Sequence, residues 1–239
     1  MFEPLEGISE AGLKKWIESS LAEHSNILAE GYQGQTLIYR ESSPHLVIKV
    51  PHGRGLIRRF HVSMLRHEYA VYCQLKGLEL APRCFGMVDD QYLVLEFVAG
   101  MPIRKHRPQQ DTGFYDMLFE YIQQLHQHNV AHMDLKRKDN LLVIDGRYPK
   151  LIDFGAAVIR KQGFHPFNRF HFNLAKRFDF NAWIRHKYDK KIDDVSDEDR
   201  VYYKRTNIEK VSRKLKRFYK DYIYDWKKSR KKKLERKKP

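Results

Sequence analysis

The sequence predicts an α+β protein of two lobes, a small antiparallel sheet lobe followed by a helical one. Three observations carry that expectation. Up to about residue 98 the chain is rich in short β-branched runs punctuated by turn residues. Beyond it, apolar residues recur at helical spacing. Between the two regimes, Glu96 to Gly100 offers a hinge, and 239 residues suffice for two small lobes with a core. The expected division is an N-terminal helix over 1–25, a sheet lobe over 26–98, a helical lobe over 99–226 and a basic tail over 227–239.

The elements follow in order. ISEAGLKKWIESSLAEH reads as a helix capped by Ser9, with Leu13, Trp16, Ile17 and Leu21 on one face. Asn26 to Glu41 reads as two strands around the turn Gly31-Tyr-Gln-Gly34. After Ser42-Ser-Pro44, HLVIKV is a third strand, and residues 58–76 are helical. Cys84 to Val88 and Tyr92 to Val98 are strands around an Asp89-Asp90 turn. Asp111 is placed to cap a helix running to about His128, whose apolar stripe is Phe114, Met117, Leu118, Tyr121, Ile122 and Leu125. Two short strands, LLVI and YPKLI, flank Asp145-Gly146-Arg147. Further on, Ser196 caps a helix with Asp199 three residues later, and Val211, Leu215, Phe218, Tyr219, Tyr222, Ile223 and Trp226 form its stripe.

Composition bounds the classes of function. No apolar run approaches the length of a membrane span, and the acidic N-terminus MFEPLEGISE is not that of a secretory signal. Cys73 and Cys84 match no metal-ligand spacing and give no disulfide framework, which fits reduced thiols in a cytoplasmic protein. The net charge of +15 is uneven, since Lys204 to Pro239 holds 17 Lys and Arg against four Asp and Glu. A near-neutral body with such a tail points to an anionic partner, either RNA or an acidic membrane surface.

Four stretches carry chemistry. LVIK ends in Lys49, a lysine in an apolar strand that needs a counter-charge, and Glu68 lies 19 residues on in the following helix. Gly31 and Gly34 sit in a strand–turn–strand where bare backbone can approach phosphate. HMDLKRKDN, residues 132–140, and Asp153-Phe154-Gly155 after YPKLI supply carboxylates and an amide. Phosphoryl transfer from ATP needs those parts: donors for the phosphates, oxygen ligands for Mg²⁺ and a base for the acceptor hydroxyl. In this order the motifs resemble those of the protein-kinase-like superfamily, over roughly residues 26–156.

The resemblance implies roles. Lys49, held by Glu68, would reach the α- and β-phosphates of ATP, and Gly31 and Gly34 would lie over them. The backbones of Glu96 and Val98 would bind adenine. Asp134 would be the catalytic base and Lys136 would sit near the γ-phosphate. Asn140 and Asp153 would hold Mg²⁺. The family loop reads H-R-D-L-x-x-x-N, whereas Asn140 comes one residue late. Asn140 nevertheless opens N-L-L-V, 13 residues before Asp153, so the extra residue lies between Asp134 and Asn140.

Two departures bear on the acceptor. Met133 stands where many protein kinases have an arginine that grips a phosphorylated loop, and no Ser or Thr occurs from Phe154 to Val195, leaving Tyr188 as the one phosphorylatable residue there. No A-P-E follows, and QGFHPFNRFHFNLAKRFDFNAWIRHKY replaces the peptide platform, so the helical lobe is truncated. Such short chains resemble the bacterial lipopolysaccharide-kinase family and the RIO-type atypical kinases. The first implies a glycolipid sugar hydroxyl as acceptor and a peripheral position on the cytoplasmic face of the inner membrane. The second implies protein Ser or Thr. The reading gives an ATP:alcohol phosphotransferase, with the glycolipid acceptor narrowly ahead; the alternative of another class is a pseudokinase or a nucleic-acid-binding protein acting through the basic tail.

Overall fold

The computed structural model describes residues 2–3, 7–31, 34–109, 112–189 and 191–204. Five antiparallel strands form the main sheet: β1 (Ile27–Glu30), β2 (Gly34–Tyr39), β3 (Leu46–Pro51), β4 (Cys84–Val88) and β5 (Tyr92–Glu96), in the spatial order β1-β2-β3-β5-β4. Strand alternation sends successive side chains to opposite faces. Leu46, Ile48 and Val50 of β3 and Tyr92 and Val94 of β5 join Leu13 and Ile17 of helix α1 (Glu10–Ala22) in one core. Leu93 and Leu95 face the other way, into a second core that runs through helix α2 (Gly55–Gln74) into the helical half. Lys49, between Ile48 and Val50, is therefore turned away from the α1 core and toward α2.

The second half begins with the short strand β6 (Met101–Pro102), then α3 (Phe114–Gln127), β7 (Val130–Ala131), β8 (Leu141–Ile144), β9 (Tyr148–Leu151), β10 (Val158–Ile159), α4 (Pro166–Lys187) and α5 (Asp197–Arg200). β6-β8-β9 form a three-stranded sheet and β10 pairs with β7. α3 buries Phe114, Leu118, Ile122 and Leu125, one stripe at helical spacing. α4 packs on it, with Trp183 Nε1 donating to the Tyr115 carbonyl at 2.7 Å.

Several sequence expectations are sharpened. Ser9 caps α1 by accepting from Gly12 N–H, and Ser196 caps α5 by accepting from Asp199 N–H. Asp89 and Asp90 both adopt positive φ, 50° and 52°, as a tight hairpin turn with right-handed strand twist requires. α2 begins at Gly55 rather than residue 58: no side chain caps it, so the sequence carried no start signal. α3 begins at Phe114 after Gly113, which takes the left-handed conformation, and Asp111 lies outside the described residues. β5 ends at Glu96, and Phe97 N–H instead donates to the His45 carbonyl at 2.8 Å. The expected stripe from Val211 to Trp226 and the tail 227–239 also lie outside the described residues. Among those described, no helix is long and apolar enough to cross a membrane.

The 22-residue helix α4 was not expected. Its buried positions include Phe172, Ala175, Asp179, Ala182, Trp183 and His186, a helical stripe interrupted by polar residues, while other phenylalanines of the same stretch face water. Hydrophobicity alone therefore gives no clean period there.

Candidate active site

β3, α2 and the turn after β9 meet at a cleft of about 560 Å³, lined by Gly31, Gly34, Lys49, Glu68, Asp134 and Asp153 among others. Lys49 Nζ donates to Glu68 Oε1 at 2.7 Å, to Glu68 Oε2 at 2.9 Å and to Asp153 Oδ1 at 3.0 Å. Burial alone would lower the Lys49 pKa, but Glu68 and Asp153 outweigh it and hold the ammonium above its ordinary value. Burial likewise opposes ionisation of Asp153, and the Lys49 charge wins there too, keeping that carboxyl below its usual range.

Glu68 is almost fully buried and has a second duty, since its Oε1 accepts from Phe154 N–H at 3.1 Å. One carboxylate thus fixes both the strand lysine and the Asp153-Phe154 turn. Asp153 itself sits at φ 65°, and Met133, beside the other carboxylate, at φ 67°. Both are left-handed conformations that cost a non-glycine residue energy and that collect at functional sites.

Asp134 lies on the loop between β7 and β8. Asn140 Nδ2 donates to the Asp134 carbonyl at 3.2 Å and to its Oδ2 at 3.1 Å. The amide nitrogen is thereby committed to Asp134, which leaves the amide oxygen as the ligand atom Asn140 offers. Within the loop, Arg137 N–H donates to the Asp134 carbonyl and Asn140 N–H to the Arg137 carbonyl, two successive tight turns that absorb the extra residue. Arg137 lines the cleft, whereas Lys136 is exposed and lines a smaller cavity of about 160 Å³ with Asp134 and Arg185.

The expected adenine-binding pair is not brought to the same cavity. Glu96 lines a separate one of about 500 Å³, its N–H donates to the Arg83 carbonyl, and its carboxylate accepts from Arg83 N–H. Val98 follows the strand, with its carbonyl accepting from Gly100 N–H at 2.9 Å. Gly31 N–H donates to the Gly34 carbonyl at 2.9 Å, and Tyr32 and Gln33 between them are outside the described residues. A side chain at Gly34 would place Cβ 2.0 Å from the Val50 carbonyl oxygen, so close packing of β2 on β3 demands glycine there whatever lies above it.

Sequence reasoning missed the residue that anchors the loop. Asp179 of α4 is fully buried and accepts from His132 N–H at 2.9 Å, Met133 N–H at 2.7 Å and His126 Nε2 at 3.0 Å. His132 Nε2 donates to the Ile152 carbonyl at 3.1 Å, and its ring packs on Phe154, with centroids 4.7 Å apart. Phe154 in turn meets Tyr72 of α2 edge-on at 5.3 Å. A continuous column of rings joins α2, the Asp153 turn and the Asp134 loop, and Asp179 ties its lower end to α4. One signal was present: Asp179 is the first acidic residue after Asp153.

The segment after Gly155 is short. Only β10 and a loop separate it from α4. Met133 packs with Ala131, Val158, Phe172 and Ala175 in an apolar cluster. The Tyr188 hydroxyl donates to Asp199 at 2.6 Å and accepts from Ser196 N–H at 3.3 Å, so it is part of the α5 cap.

Comparison with known proteins agrees with this geometry. No protein-family profile matches the chain. It is 26% identical over 170 residues to an Aurora kinase of Schizosaccharomyces pombe, covering 65% of this chain and 47% of that protein. The chain thus spans about half the length of the curated relative it matches. Rio2 kinase from Chaetomium thermophilum superposes with a TM-score of 0.52 at 16% identity, covering 82% of this chain and 70% of that one. The same kinase in its ADP/Mg²⁺-phosphoaspartate complex gives 0.51 at 15% identity, with coverages of 84% and 69%. The chain has the protein-kinase-like fold, with RIO-type resemblance.

Proposed function

We propose that this protein is an ATP-dependent kinase that moves the γ-phosphate to a hydroxyl acceptor. The single observation behind the reading is that Lys49, Glu68, Asp134 and Asp153, drawn from four segments, line one cleft, with Asn140 hydrogen-bonded to Asp134. In this reading Lys49 holds the α- and β-phosphates, and Arg137 adds positive charge on the cleft side of the loop. Asp134 accepts the acceptor proton as the acceptor oxygen bonds to the γ-phosphorus. The β–γ bridging P–O bond breaks and ADP leaves.

The donor set suits Mg²⁺. Asp153 and Asn140 offer hard oxygen ligands, and among the described residues no group of three His, Cys, Asp or Glu forms a metal cage. That is the pattern for an ion that shares its ligands with phosphate. When bound, Mg²⁺ supplies charge neutralisation on the β- and γ-oxygens.

For the acceptor, the missing peptide platform favours a small or surface-borne hydroxyl, such as a lipopolysaccharide core sugar. The likeness of fold to Rio2 kinase favours a second reading, a protein Ser or Thr. Purified protein with radiolabelled ATP, offered cell envelope and cytosolic protein separately, distinguishes them by label in glycolipid or in polypeptide. Asp134→Asn should abolish transfer while ATP still binds. Transfer at the wild-type rate by that variant would remove Asp134 as the base.

A further inference from the structure

The chain from Gly155 to Phe178 contains no acidic residue in 24 positions, against Arg160, Lys161, Arg169, Lys176 and Arg177, with His165 and His171 besides. Four of its five phenylalanines fall at the extremes of exposure. Phe172 is buried with Ala175 and fastens α4 to the body. Phe164 and Phe167 are 90% exposed and Phe170 is 71% exposed. Isolated exposed apolar residues are ordinary, but three phenylalanines projecting from one short stretch are not.

The prominence is built, not frayed. Asn168 accepts from Lys161 N–H at 2.8 Å and donates to the Ile159 carbonyl at 2.9 Å, which clamps the preceding loop to the first turn of α4. Pro166 opens the helix. The three rings are therefore held out on a fixed frame.

A second element carries the same signature. At the start of α2, Leu56, Ile57 and Phe60 are 79%, 63% and 64% exposed, beside the exposed cations Arg54 and Arg59. No acidic residue occurs from Pro51 to His67. The two elements are joined, since His67 Nε2 of α2 donates to the Ala157 carbonyl at 2.8 Å. Both also border the cleft, α2 through Met64 and Leu65, the other through Gly155 and Ala156.

We propose that Phe164, Phe167 and Phe170, together with Leu56, Ile57 and Phe60, form a docking face for an anionic lipid bilayer. Apolar tips ringed by Lys and Arg are what an interface of acyl chains beneath acidic headgroups recognises. Single-stranded RNA also attracts cations and stacks on phenylalanine, but Leu56 and Ile57 have no π-face for a base, whereas both can enter the acyl boundary. Docking through two elements that border the cleft elsewhere along their length would bring Asp134 to acceptors carried at a membrane surface. That consequence rests on the phosphotransfer reading above; the docking itself does not.

The test uses the full chain, with its C-terminal basic run intact, and sedimentation with vesicles of phosphatidylcholine containing about one-third phosphatidylglycerol. Phe164→Ser, Phe167→Ser and Phe170→Ser together should lower partition by about a hundredfold, and Leu56→Ser with Ile57→Ser by about tenfold. Pure phosphatidylcholine should bind neither form well. The phenylalanine dependence should persist in 0.5 M NaCl (roughly, enough to screen charge). Thermal melts and ATP binding, both expected at wild-type values, show that the variants are folded. Wild-type protein that ignores anionic vesicles, or a triple variant that binds them as well as wild type, overturns the proposal. So does loss of binding to a 20-mer of oligouridylate (about the length of one site) with vesicle binding intact, which would assign the face to RNA. In each of these cases Asp134-dependent transfer would be untouched.

Discussion

Removing the Asp179 carboxylate should damage this protein more than any exposed substitution. Asp179→Ala leaves three donors without an acceptor: the N–H groups of His132 and Met133 and the Nε2–H of His126. At about 1–3 kcal/mol for each buried donor left unsatisfied, the loss is roughly 5 kcal/mol. That is comparable with the whole stability of many domains, about 5–15 kcal/mol. For a chain of this length it corresponds to a fall in melting temperature of roughly 10–20 °C. Asp179→Asn keeps the shape and one accepting oxygen but turns an N–H₂ toward a donor, so it should fall between the two. The assay is thermal unfolding by circular dichroism, paired with hydrogen exchange at residues 132 and 133. Those amides should lose protection selectively, because their partner is gone while the flanking β7–β10 pairing remains. If Asp179→Ala melts within about 3 °C of wild type with unchanged exchange at those two amides, Asp179 does not anchor the loop.

Three other outcomes follow from the same contacts. Lys49→Met leaves the buried Glu68 carboxylate without its cation, and should cost about 3–5 kcal/mol in denaturant unfolding as well as phosphate transfer. The stability contributed by Asp153, whose folded pKa lies below its unfolded value of 3.8, is present above that pH and lost as pH falls through the folded pKa. The Lys49 contribution is the mirror case: it is complete below the unfolded value of 10.5 and lost as pH rises through the higher folded pKa. Melting temperature should therefore be insensitive to this pair between about pH 5 and 9, and Lys49→Met should remove the Asp153 part of the acid limb, so that the variant's deficit against wild type narrows as pH falls. Gly34→Ala sets Cβ against the Val50 carbonyl and should cost about 1–3 kcal/mol by the same melts, with weaker nucleotide binding if the β1–β2 turn shifts.

Much of the site was legible because it is written in short local patterns. LVIK, HMDLKRKDN and DFG keep their chemistry and order, and their spacing places them on a strand, a loop and a turn whatever surrounds them. Glu68 was legible for a related reason: a lysine in an apolar strand needs an anion, and the next helix supplied one. Lys136 shows the limit. Its identity fitted a family motif, yet it lines the smaller cavity beside Asp134, and Arg137 lines the cleft. At Glu96 the structure commits one backbone group, since the Arg83 carbonyl accepts its N–H.

By itself, then, the sequence determined the strand-then-helix order, the polar groups available for chemistry and the basic character of the C-terminal tail. It could do so because alternation, helical spacing and turn chemistry are properties of neighbouring residues. Tertiary structure decided what long separations conceal: Lys49 on Asp153 across 104 positions, and Asp179 under His132 across 47. It also separated Phe172, which anchors α4, from Phe164, Phe167 and Phe170, which project. No local rule separates those roles, because burial is fixed by whatever the folded chain happens to lay against each face.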